Sequence, residues 1–398
     1  MNVSRKVKEI SPSLTLEITA KAKKMKAEGI SVIGFGAGEP DFNTPEYIID
    51  SAKKALDTGF TKYTPASGMP ELKKAICKKF ETDNGLKYSP EQIVVSSGAK
   101  SSLYHAICAM VEEGDEVLLP SPYWLTYPEL IKLAGGKCVF VKAEIENGYK
   151  VTAEQIENAI TPKTKCLILN TPNNPTGAVY GEEEIRAIAK VCEKHKLSVI
   201  SDEIYEKLVY GGAKHFSIAS VSDYMKENTV IVNGMSKTYS MTGWRIGYVA
   251  GPVDVIKAMS SMQSHTTSNA NSIAQYASVT ALTDPRGEEF IASMQKTFDE
   301  RRKYMFERIK NVKGMKCSEP QGAFYVFIDV SSFFGKSVNG EKVVGSLSFA
   351  EQALKFGVAV VPGVAFGDDN CIRLSYAVSM DDIKTGLDRL EKFTEELK

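Results

Sequence analysis

Seven short runs of β-branched and aliphatic residues, spaced by helix-length stretches, constrain this chain more than any other feature. They are "QIVVSS" (92–97), "EVLLPS" (116–121), "CVFVKA" (138–143), "CLILN" (166–170), "SVISDE" (198–203), "TVIVNG" (229–234) and "IGYVAG" (246–251). Stretches such as 99–112, 124–134 and 181–196 between them carry helical patterning. A parallel strand pair needs a long crossover that packs back on the sheet, so this alternation predicts a mostly parallel sheet covered on both faces. The last two runs are too close for a crossover, and one antiparallel neighbour is expected. Further helices are expected at 15–29, 45–58 and 70–84, and 253–312 reads as mainly helical. Beyond it, "FYVFIDV" and "CIRLSYA" alternate with helices at 346–356 and 380–397. A chain of 398 residues exceeds one simple core. The expected fold is α/β: a large domain (45–295) with a mostly parallel seven-stranded sheet flanked by helices, and a smaller α+β domain formed by the N-terminal arm (1–44) and residues 296–398.

Charge narrows the partners. Forty-nine basic residues balance 49 acidic ones, so no whole-molecule field draws nucleic acid or an anionic membrane. No apolar run reaches membrane-spanning length, and charges interrupt the N-terminus before a signal-peptide core could form. Seven cysteines (77, 108, 138, 166, 192, 317 and 371) are scattered and never in a CxxC, which predicts free buried thiols in a reducing cytoplasm. The four histidines lack ligand spacing, and no metal is expected.

Ligands of parallel sheets bind beyond the carboxyl ends of the strands. After "QIVVSS" comes "GAK", small residues opening a helix whose free N–H groups suit a phosphate. The second strand leads to "PYW", the fourth to "TPNNPTG", the fifth to "DEIY", and the sixth to "MSK" with Arg245 nearby. Each has an ordinary explanation alone: a helix start, a core ring, a turn, a cap, a lysine reaching solvent, a structural ion pair. Five ordinary explanations would have to coincide on one rim. Lys237 follows the apolar run "TVIVNGM", where desolvation and nearby cations favour a free amine able to form a Schiff base. A phosphate site, an acid for a ring nitrogen and a flat aromatic together fit pyridoxal 5'-phosphate.

At these motifs the chain resembles the class I/II pyridoxal-phosphate-dependent aminotransferases of fold type I. The resemblance spans essentially the whole chain through "GAGEPDF" (36–42), "SSGAK" (96–100), "PSPYW" (120–124), "NTPNNPTG" (170–177), "SDEIY" (201–205), "SKTYSMTGWRIGY" (236–248), "GAFYVF" (322–327) and "IRLSYA" (372–377). It is nearest the bacterial aspartate-active subgroup, some of whose members also take prephenate or aromatic amino acids. The resemblance implies that Lys237 holds the cofactor as an imine and shuttles the proton, and that Asp202 pairs with the ring nitrogen. It places Tyr205 and Asn174 on the ring's phenolic oxygen, and Trp124 stacked on the ring. Gly98, Ala99, Ser236 and Arg245 hold the phosphate, with Tyr63 reaching across a homodimer with shared active sites. Arg373 grips the substrate's α-carboxylate, Gly38 lets backbone close over it, and Ser13, Thr15 and Lys100 meet a side-chain carboxylate. Many relatives carry a serine where this chain has Gly234; either Ser236 compensates or phosphate affinity is lower.

The expected reaction is ping-pong transfer of an amino group between an L-amino acid, aspartate foremost, and a 2-oxo acid such as 2-oxoglutarate. The alternatives are an aromatic or prephenate aminotransferase and a β-elimination lyase on the same fold. A nicotinamide oxidoreductase is prompted only by "GFGAG" (34–38), where Glu39 and Pro40 spoil the glycine fingerprint. A DNA-binding cofactor sensor lacks room for its module before residue 30.

Overall fold

The aliphatic runs are buried on both faces, as a covered parallel sheet requires: every residue of Thr229–Gly234 is buried, as is every residue of Ile93–Ser96. The computed structural model describes the backbone of residues 1–398 and all side chains other than those of Arg5 and Leu16. Seven strands form the main sheet: β1 (Ile93–Ser96), β2 (Glu116–Ser121), β3 (Lys137–Lys142), β4 (Thr164–Asn170), β5 (Ser198–Asp202), β6 (Thr229–Gly234) and β7 (Gly247–Ala250). Their order is β1-β7-β6-β5-β4-β2-β3. The expected antiparallel strand is β7, which runs against both β1 and β6; the other pairs are parallel. Edge strand β3 begins and ends on an exposed lysine, Lys137 and Lys142, which discourages pairing with another chain.

Local chemistry sets the helices. Pro70–Asn84 opens on a proline, whose missing N–H costs nothing in a first turn, and stops at Gly85 with φ 67°. Glu182–His195 carries Glu182, Glu183 and Glu184 in its first turn and Lys194 and His195 in its last, aligned with the helix dipole. Its stripe of Ile185, Ile188, Ala189 and Cys192 is buried against the sheet. The stretch 253–312 resolves into Val253–Thr266, Ser272–Thr283 and Arg286–Lys310.

A second, antiparallel sheet lies in the last quarter of the chain: β8 (Lys316–Cys317), β9 (Tyr325–Asp329), β10 (Val361–Pro362) and β11 (Cys371–Ser375), in the order β10-β11-β9-β8. The N-terminal arm joins this part. Ile33–Gly34 pairs in parallel with Val358–Ala359, and Ser375 N–H donates to the Phe35 carbonyl at 2.9 Å. Ile18, Ala22, Val32 and Phe35 share a core with Phe349, Ile383 and Phe393. All seven cysteines are free thiols, but only Cys166, Cys192 and Cys371 are buried; the other four are half-buried. Among the described residues no helix is long and apolar enough to cross a membrane.

Candidate active site

A cavity of about 660 Å³ opens where β4, β5 and β6 end, roofed by the helix Leu14–Ala27 and by the segment Gly36–Glu39. Its floor carries Lys237, placed by a four-residue helix, Met235–Thr238, that follows β6 directly. Lys237 is half-buried rather than buried, and its Nζ donates to the Gly38 carbonyl. Burial pushes its ammonium down to about 8; Glu39 opposes this, while Arg245 and Arg373 push further in the same direction. Asp202, at the end of β5, is 3% exposed. Its Oδ2 accepts from Tyr127 Oη at 2.7 Å and its Oδ1 from Ile204 N–H at 3.2 Å. Burial raises its carboxyl to about 6 against the pull of those bonds. Lys237 and Asp202 form no ion pair with each other among the described residues, so each remains available to a third group.

The remaining predicted residues gather around these two. Tyr205 Oη lies 3.0 Å from Tyr325 Oη, and burial raises its phenol. Asn174 Oδ1 accepts from Arg373 Nη1 at 2.9 Å, and Asn174 N–H donates to Asn170 Oδ1 at 3.0 Å. Arg373 stands on β11 and is held between the rings of Tyr325 and Phe366, 4.3 and 4.9 Å from its guanidinium carbon. Its Nη2 donates to the Gly36 carbonyl at 3.1 Å, while its buried Nε has no partner. A buried donor left open is costly unless a ligand meets it. Trp124, Ser236, Gly38, Thr15 and Lys100 also line the cavity. Lys100 Nζ lies 4.9 Å from the Trp124 ring centre, and burial, then Arg245, lowers its ammonium. Ser13 does not line the cavity; its hydroxyl bonds that of Thr15 at 2.8 Å.

Close backbone packing shapes an anion cradle at the start of the helix Ala99–Met110. Gly98 has φ 88°, and a Cβ there would lie 2.3 Å from Arg245 Nη2. Arg245 itself sits at φ 55°, and its Nη1 donates to the Thr242 carbonyl at 2.8 Å. A Cβ on Gly247 would fall 2.2 Å from the Ala99 nitrogen, so β7 and the helix start touch backbone to backbone. Gly234 has a physical reason as well: a Cβ would meet the Ile246 carbonyl at 2.9 Å and Gly247 Cα at 3.0 Å. A serine there needs the sheet to move.

Tyr63 is not brought into this cavity. It is 88% exposed and lines a separate cavity of about 770 Å³ with Tyr47, Phe60 and Tyr276. Conversely, the sequence reading missed Tyr127, Tyr325, Asn170 and Glu39, which hold or face the predicted groups. Tyr325 lay inside the noted "GAFYVF", and Tyr127 three residues past Trp124 on a helix start; both were readable as second phenols beside a known rim. Glu203, Glu206 and His215 cluster within 4.8 Å of one another, but their carboxylate oxygens accept hydrogen bonds from Ser201, Ser217, His215, Asn84, Asn233 and Lys79.

The fold agrees with three comparisons. The family model for aminotransferases of class I and II matches residues 30–390. The aspartate aminotransferase of Geobacillus stearothermophilus is 48% identical over 398 residues, covering 99% of both chains. The probable aspartate/prephenate aminotransferase of Aquifex aeolicus is 46% identical, again over 99% of each. The crystal structure of the Rhizobium meliloti aspartate aminotransferase superposes with a TM-score of 0.96 at 40% identity, covering 100% of both chains. This chain belongs to the class I and II aminotransferases and has their fold type I architecture. It is an aminotransferase enzyme.

Proposed function

We propose that this aminotransferase carries pyridoxal 5'-phosphate at the Lys237 cleft and moves an amino group between aspartate and 2-oxoglutarate by a ping-pong route. The residues fit the cofactor. The glycine cradle at Gly98 and Ala99, with Arg245 over it and Ser236 beside it, suits the phosphate. Asp202 would face the ring nitrogen, Trp124 the ring plane, and Tyr205 with Asn174 the phenolic oxygen. Bound there, pyridoxal phosphate supplies an aldehyde that condenses with an amine and a protonated ring that accepts electron density as the substrate's α-proton leaves.

The observation that carries the reading is a Lys237 amine bonded to the Gly38 carbonyl and to no carboxylate, its ammonium pushed down to about 8, in the same cavity as a separately buried Asp202. Lys237 would take the proton from the substrate's α-carbon and return it two bonds away, beyond the amino nitrogen, a task suited to a group titrating near the operating pH. Asp202 keeps a negative charge where the ring nitrogen gains a proton. Arg373 offers its free Nε and its Nη groups as a fork for the α-carboxylate. Thr15 and Lys100, across the cavity, supply a hydroxyl and a cation for a second carboxylate. Aspartate is favoured on this ground, and by the names of the relatives. The Aquifex relative's name keeps prephenate as a second reading. Initial rates with aspartate, prephenate, phenylalanine and alanine, followed through 2-oxoglutarate consumption, test both. Borohydride reduction of the loaded enzyme should leave a cofactor adduct on Lys237, and its absence by mass spectrometry would reject the reading.

The same proposal takes 45–295 as the large domain, with 1–44 and 296–398 as the small one, supported by the shared core of arm and C-terminal sheet. It takes the enzyme as a cytoplasmic homodimer, in which exposed Tyr63 on its aromatic-lined cavity completes the partner's phosphate site.

A further inference from the structure

The chain as a whole is electrically balanced, but the cavity is not. Lys23, Lys26, Lys100, Lys237, Arg245 and Arg373 line it, against two carboxylates, Glu39 and Asp202. Four of those cations belong to the site already described. Lys23 and Lys26 do not: they stand on the helix Leu14–Ala27, exposed at the mouth.

Helical spacing explains their placement. Thr15, Thr19, Lys23 and Lys26 recur at intervals of four, four and three, so they share the face turned to the cavity. Ile18 and Ala22 on the adjoining stripe anchor the helix in the core of the C-terminal part. The other lysines of this helix behave differently. Lys21 pairs with Glu351 at 3.8 Å and Lys24 with Glu28 at 4.0 Å. Among the described residues no carboxylate pairs with Lys23 or Lys26. Two uncompensated cations at a concave mouth, with more cations below, concentrate anions there more than either lysine would on a flat surface.

We infer that Lys23 and Lys26 form a charge-selecting entrance that enriches doubly negative substrates over singly charged or neutral ones before they reach Arg373. This rests on the proposed preference for dicarboxylic acids and adds two specificity determinants remote from the reacting atoms. The entrance acts on capture, so it changes kcat/KM and leaves kcat alone. Its effect grows with substrate charge and fades as salt screens it within roughly a Debye length of 10 Å at 0.1 M.

The test uses the cofactor-loaded enzyme and two double variants, Lys23→Gln with Lys26→Gln, and, as a control of equal charge change, Lys21→Gln with Lys24→Gln. At low ionic strength the first should lower kcat/KM about fivefold for 2-oxoglutarate and about twofold for aspartate, with alanine unchanged and every kcat retained. Affinity for maleate, an unreactive doubly charged acid, measured by calorimetry, should fall about fivefold and show a shallower salt dependence than wild type. The control variant should match wild type. Equal losses for alanine and 2-oxoglutarate, equal effects of the two variants, or unchanged maleate binding would each overturn the inference. If wild type fails to turn over aspartate, the aspartate assignment falls, while maleate affinity still decides the entrance.

Discussion

Two lysine–carboxylate neighbourhoods lie side by side in this molecule and are wired in opposite ways. Behind the cavity, Lys79 and Glu206 are both buried and bonded directly to each other. Asn233 and Asn84 complete Glu206 at 2.8 and 3.1 Å. Burial alone would raise the Glu206 carboxyl, but Lys79, His215 and Asn84 outweigh it and hold it at about 2. Four residues before Glu206, Asp202 is equally buried and bonded only to neutral donors, so its carboxyl rises to about 6. Lys237, three residues past Gly234, has no carboxylate bonded to it and falls to about 8. Asp202 and Glu206 are alike in burial; partnering separates them. A buried pair is satisfied and inert, whereas a buried charge kept from its natural partner holds reactivity in reserve.

That difference can be broken experimentally. Lys237→Ala should lower turnover by roughly four orders of magnitude, since it removes both the nucleophile and the proton carrier; steady-state rates with aspartate check it. Asp202→Asn keeps the shape and removes the charge, and should cost about a hundred- to a thousandfold in kcat with little change in urea midpoint. Glu206→Gln reverses that pattern. It leaves Lys79 with only Asp83, at 3.8 Å, as a carboxylate partner and should destabilise by about 2–3 kcal/mol, read from urea unfolding, with kcat within about threefold of wild type. The sign with pH follows from the depressed carboxyl. An unfolded glutamate titrates near about 4.3, so the stabilisation is complete above that value and is lost as pH falls toward 2. The gap between wild type and E206Q should therefore close in acid. Arg373→Lys should raise KM about ten- to a hundredfold by breaking the fork. The smallest effect separates the two lysines directly. An amine-acylating reagent on the cofactor-free enzyme should label Lys237 with half-maximal rate near pH 8 and leave Lys79 untouched, as peptide mass spectrometry would show.

Much of this was legible beforehand because periodicity and strand-end chemistry are local. The seven strands fall where the aliphatic runs stand, with ends shifted by one or two residues, as for Thr164–Asn170 against 166–170. The antiparallel place of Gly247–Ala250 followed from a gap too short for a crossover. Lys237, Asp202, Asn174, Arg245 and Arg373 were named from motifs and do converge on one cavity. What stayed hidden depends on contacts between distant segments. Tyr127 bonds Asp202 across 75 positions, and Asn84 reaches Glu206 across 122. No periodicity marks a phenol that will find a carboxylate, or a lysine that will be paired with an acid from a distant turn. The reverse holds for Tyr63, whose motif reads clearly but whose side chain is exposed and lies outside that cavity.

The contact of Gly247 with the Ala99 nitrogen has a practical consequence for anyone redesigning this enzyme. Where main chain meets main chain there is no side chain to exchange, so that contact cannot be adjusted by substitution. The opposite wall is a surface helix whose inward positions, Thr15, Thr19, Lys23 and Lys26, can be rewritten without disturbing a strand. Retargeting to new amino acids should begin on that wall, where substitutions leave the sheet and its strand-end groups in place.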